Sequence, residues 1–158
     1  MANLNYFKNR PQKKPFTKKT QFKIKKEAIK KIKTKFLPNK KIIKIILIGS
    51  ILKNKFGKYE APGFRGSQYS DIDIIIFVEN NYKIPKWLKK EPRGKPFPIK
   101  KLNLAYRNKN FIEKKYDLET FFIRESNMNN KKIQKQGEKA GIPMISKSKN
   151  KYLVIYKK

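Results

Sequence analysis

Asp71-Ile72-Asp73-Ile74-Ile75-Ile76-Phe77-Val78-Glu79 opens with two aspartates and runs on as an unbroken apolar segment to Val78. Successive side chains of a strand point to opposite faces. Ile72, Ile74, Ile76 and Val78 therefore share one face, and Asp71 and Asp73 stand together on the other. A β-branched run of this kind reads as a buried strand. Just upstream, Lys40–Ile48 (KKIIKIILI) is a second such run, closed by Gly49. Between the two, Ser50 opens a short helical turn, Ile51–Phe56, and a loop rich in Gly and Pro runs from Gly57 to Ser70.

Further out the pattern changes period. Phe22, Ala28, Ile29, Ile32 and Phe36 recur at helical spacing, with lysines on the other side, so Gln21–Leu37 reads as an amphipathic helix ended by Pro38-Asn39. Residues 1–20 are polar and basic with Pro11 and Pro15, and read as a flexible arm ahead of a single domain, 21–158. Residues 80 to about 110 hold four prolines and no period, which predicts a long irregular excursion. A third strand is expected at Tyr116–Arg124. A helix at Asn129–Lys139 follows, with Ser126 or Asn127 as its cap. Short strands at Ile142–Ile145 and Tyr152–Tyr156 complete the order. The whole predicts an α+β protein: a small mixed sheet with helices packed mainly on one face.

Composition removes whole classes of chemistry. The chain has 158 residues, no cysteine and no histidine, so disulfides, thiolate zinc sites and imidazole catalysis are excluded. Catalysis must rest on carboxylates, lysines, hydroxyls and bound metal. The apolar run at 42–48 is too short to span a bilayer, and the opening MANLNYFKNRPQKK lacks the apolar core of a signal peptide. A cytoplasmic protein without a membrane partner is expected. The net charge of +31 suits a nucleic-acid partner. Yet only five of the 42 basic residues are arginine, so the arginine forks that read bases are scarce. The abundance of Lys, Ile and Asn is also what codons rich in A and T supply.

The chain has three aspartates, Asp71, Asp73 and Asp117. In Tyr116–Arg124, Asp117 and Glu119 share one face, and Leu118, Thr120 and Phe122 the other. If the two strands are neighbours, the carboxylates converge, and either Asp117 or Glu119 completes the set. Such carboxylates repel one another unless a cation relieves them. Hard oxygen donors suit Mg²⁺ or Mn²⁺, and a pair of such ions can serve phosphoryl transfer. Gly49-Ser50, ending a strand and opening a helical turn, suits close approach of a phosphate. Tyr59, Phe64 and Tyr69 are aromatics able either to stack on a base or to pin the loop.

Ile48-Gly49-Ser50, a loop, Ser70-Asp71-Ile72-Asp73 and a later strand aspartate together resemble the G-S…D-x-D…D signature of the polymerase-β-type nucleotidyltransferase superfamily, closest to its minimal domains. The resemblance covers about Lys40 to Arg124, with Gln21–Leu37 matching the leading helix. It implies that Gly49 and Ser50 bind a nucleoside triphosphate; Ser70, and Arg65 reaching from the loop, are further nucleotide-binding candidates, Arg65 being equally readable as an ordinary exposed arginine. It implies that Asp71, Asp73 and Asp117 are the catalytic metal ligands, holding Mg²⁺ or Mn²⁺. The expected activity is transfer of a nucleoside monophosphate from an NTP to an acceptor, releasing pyrophosphate. The alternative is a basic nucleic-acid-binding protein in which that fold is catalytically unused. Two departures stand out: the loop 51–70 carries the added GFRGSQYS, and 80–110 separates the second and third carboxylate strands widely.

Overall fold

The computed structural model describes residues 11–61, 67–92 and 104–158. Within them lie a strand β1 (Lys13–Pro15), a long helix α1 (Lys18–Phe36), and strands β2 (Ile42–Ile48), β3 (Gly57–Tyr59) and β4 (Ile72–Val78). Strands β5 (Lys89–Pro92), β6 (Leu104–Ile112) and β7 (Tyr116–Arg124) follow. The short helix α2 (Glu125–Met128), α3 (Lys131–Lys139) and β8 (Leu153–Lys157) end the chain. This is a mixed α+β architecture. Six strands form one mixed sheet in the order β5-β6-β7-β4-β2-β8, and β1 pairs with β3 in a separate two-stranded ribbon.

The centre of the sheet is built from the most β-branched segments. β4 lies between β2, to which it is antiparallel, and β7, to which it is parallel. A parallel pair needs a crossover, and the chain from β4 through β5 and β6 provides it. Ile72, Ile74, Ile76 and Val78 point to one face, where they pack with Ile45, Leu47 and the Ile24–Ala28–Ile32–Phe36 stripe of α1. Ile75 and Phe77 point to the other face, against Ile46, Phe121, Ile133, Ile142 and Met144.

Several expectations need correction. Residues 11–20 are not part of an arm: Lys13–Pro15 pairs antiparallel with Gly57–Tyr59, and Thr17 caps α1 by accepting the Thr20 N–H at 3.2 Å. The rest of the expected arm, residues 1–10, lies outside the described residues. Phe22, expected on the buried face of the helix, is 63% exposed; Gln21 and Ile24 are buried instead. The excursion 80–110 contains β5 and most of β6, which its prolines concealed. α3 starts at Lys131 and is capped by Asn130, whose side chain accepts from Lys132 and Ile133. It packs on the sheet face opposite α1, so both faces carry a helix. Ile142–Ile145 forms no strand. The N–H of Ile142 goes to the Gly137 carbonyl, and that of Met144 to the Glu138 carboxylate, leaving no ladder to form. Among the described residues, no helix is long and apolar enough to cross a membrane.

Candidate metal and nucleotide site

The end of β4 nearest Asp71 carries the site, and the register of the sheet assembles it. Asp73 lies opposite Ile48 on β2 and opposite Glu119 on β7. Gly49 follows Ile48 directly, with φ +86°, a conformation side chains rarely adopt. A Cβ on Gly49 would also overlap the Asp73 carboxylate. Glycine is therefore required here twice over. After it, Ser50–Lys53 forms a single 3₁₀ turn.

Asp71, Asp73 and Glu119 each offer a carboxylate oxygen, and these oxygens lie within 4.8 Å of one another. Three hard donors converging at that spacing fit a small divalent cation such as Mg²⁺ or Mn²⁺. Of the two alternatives for the third carboxylate, the geometry brings in Glu119. Asp117, two residues before Glu119 on β7, is engaged elsewhere. Its oxygens accept from the Asn110 N–H at 2.9 Å and from Arg107 at 3.0 Å.

Arg107, on β6, is the residue that reasoning from spacing missed. Arg107 is 6% exposed, and its guanidinium meets four carboxylates. Nη1 and Nη2 grip Asp71 bidentately at 3.0 Å each, Nη1 also reaches Asp117 at 3.0 Å, Nη2 reaches Glu119 at 2.8 Å, and Nε reaches Glu91 at 2.9 Å. Burial by itself would lower its pKa. The hydrogen bonds and charges of Asp71 and Glu91 more than reverse this and hold it above the ordinary arginine range. Five of the eleven acidic residues of a +31 chain thus gather at one end of the sheet. One signal was available: Arg107 is among only five arginines in a chain that otherwise uses lysine, and a guanidinium fork, unlike an ammonium, can bridge several carboxylates.

A cleft of about 290 Å³ opens beside the carboxylates, lined by Asp71, Asp73, Ser50, Ser70, Tyr59 and the lysines Lys13, Lys53 and Lys55. Its lining thus combines two carboxylates with three ammonium groups. Lys13 is delivered by β1 and lies over the Tyr59 ring, 5.5 Å from its centroid. Ser70 is buried and accepts the Gly57 N–H at 3.1 Å, so its hydroxyl ties the ribbon to the start of β4. Tyr69 packs edge-on against Tyr116 at 5.1 Å and tilted against Phe16 at 6.3 Å, pinning its loop to the core. Arg65 and Phe64 lie outside the described residues.

No family model matches the chain, and no curated protein matches it.

Proposed function

We propose that the chain is a metal-dependent nucleotidyltransferase of the polymerase-β type, moving a nucleoside monophosphate from an NTP to an acceptor hydroxyl. The observation that carries this reading is the convergence of Asp71, Asp73 and Glu119 within 4.8 Å, beside the Gly49-Ser50 turn and its lysine-lined cleft. Asp71, Asp73 and Glu119 would hold Mg²⁺ or Mn²⁺, which when bound neutralises phosphate charge and makes the acceptor oxygen a better nucleophile. Gly49 admits a phosphate close to the backbone. The Ser50 hydroxyl can donate to it, and Lys13, Lys53 and Lys55 offset the charge of the triphosphate.

In the transfer, the acceptor oxygen bonds to the α-phosphorus while the bond from that phosphorus to the α–β bridging oxygen breaks. Pyrophosphate leaves with that bridging oxygen. The acceptor's proton would pass to the Glu119 carboxylate, since Asp117 is held by Arg107 and the Asn110 N–H. The test is incubation with each labelled NTP, Mg²⁺ or Mn²⁺ and candidate acceptors, following pyrophosphate. Release that depends on metal and acceptor is the expected result.

The alternative, a basic nucleic-acid binder with an unused site, is favoured by one observation: Arg107 already offsets part of the carboxylate charge without metal. Nucleic-acid binding with no pyrophosphate from any NTP would establish it.

A further inference from the structure

We infer that Arg107 is an internal cation that stands in for the metal at the Asp71–Asp73–Glu119 site, and that loading the site requires its guanidinium to withdraw onto Glu91 and Asp117. This rests on the metal-site reading above and concerns how that site is regulated.

The four partners of Arg107 fall into two sets. Asp71 and Glu119 belong to the metal-ligating group, and Glu91 and Asp117 do not. Nη2 bonds Asp71 at 3.0 Å and Glu119 at 2.8 Å, so one amino group bridges two of the three candidate ligands. A divalent ion drawn to the same carboxylates meets a fixed positive charge at short range, and the two compete. Glu91 and Asp117 remain as partners for a guanidinium that has released the other two. Nε to Glu91 and Nη1 to Asp117 need not break. Arg107 is a positioning residue here: it keeps the carboxylates together without metal and yields them when metal arrives.

Mn²⁺ titration followed by electron paramagnetic resonance, on wild type and on Arg107→Met, tests this on the full chain. The variant should melt at a lower temperature without metal, yet bind Mn²⁺ about tenfold or more tightly, since a like charge is gone from beside the ion. Tighter binding in the variant supports the inference, even if the wild type binds too weakly to measure. Wild-type binding with equal or weaker binding by the variant overturns it and leaves the metal site standing. No Mn²⁺ bound by either protein overturns both the inference and the metal-site reading.

If Arg107→Met does not fold, guanidinium NMR of the wild type decides, with the Arg107 signals assigned by Arg107→Lys. Saturating Mg²⁺ should shift the Nη protons and leave the Nε proton on Glu91 in place. Unchanged Nη signals would overturn the inference.

Discussion

Asp71 serves stability and the proposed chemistry alike, against a smaller opposing effect. As a strand-end carboxylate in an acidic patch, it would relieve repulsion if removed. Its two oxygens, however, take two N–H groups of a buried guanidinium, and hydrogen bonds to charged groups are worth about 1.5–3 kcal/mol each. Arg107 keeps three other partners, so Asp71→Ala should cost about 2 kcal/mol in the metal-free protein and abolish transfer. A metal-free thermal melt and a pyrophosphate assay on one preparation check both. On the opposite face of β7, the Thr120 hydroxyl is fully buried and, among the described residues, without a hydrogen-bond partner. A buried unsatisfied polar group costs about 1–3 kcal/mol, and valine keeps the shape. Thr120→Val should raise stability by about 1 kcal/mol, read from chemical denaturation. Asp71 and Asp73 were legible at this scale because a two-residue spacing on a strand fixes a shared face. Arg107 was not, because its partners lie 36, 16, 12 and 10 residues away and meet it only through the pairing of β4, β5, β6 and β7.

The elements that carry the site are held by interactions no hydrophobic pattern records. Gln21, in the first turns of α1, is buried. Its amide donates to the Phe16 and Asn54 carbonyls, at 2.8 and 3.1 Å, and accepts the Phe56 N–H at 3.0 Å. One side chain thus fastens the helix start to the end of the ribbon and to the turn behind Ser50. The periodicity located α1 correctly and still set its buried edge on Phe22, because a polar residue in a core position carries no hydrophobic signal. The β6–β7 hairpin shows a second such limit. Glu113 and Lys114 both have positive φ, 53° and 56°, although neither is a residue that favours that region. The Glu113 carboxyl is pushed up by burial and by a hydrogen bond and charge repulsion from Glu27. Because the folded state holds this proton more tightly than the unfolded chain, stability is greatest below the unfolded value and falls as pH rises through the folded one. Glu113→Gln should therefore raise the melting temperature at pH 7. That gain should fade as pH falls below about 4. Melts across that range check the sign.

At the scale of the whole molecule the question is whether the basicity has a place. The net charge is +31, and five of the eleven acidic residues are gathered at one site, so the rest of the surface is more uniformly positive than the total implies. Such a surface attracts any polyanion, and its affinity falls with salt whether or not a site exists. Salt dependence alone decides nothing; position does. Lys13, Lys53 and Lys55 line the carboxylate cleft, where a nucleic-acid backbone would have to run to present a hydroxyl to the metal. Lys26, Lys30 and Lys33 lie exposed on α1, over the opposite face of the sheet. Deleting residues 1–20 would be a poor test, since β1 and the Thr17 cap belong to the fold. Changing each lysine triple to glutamine removes the same charge from two places. If nucleic acid is the acceptor, the cleft triple should lower affinity by about tenfold or more and reduce the salt slope by nearly one per lost phosphate contact, while the α1 triple has a small effect. Fluorescence anisotropy with a labelled oligonucleotide at several salt concentrations measures both. Equal losses from the two triples would mean that the charge is spread without a site, and the acceptor would then be sought among proteins and small molecules.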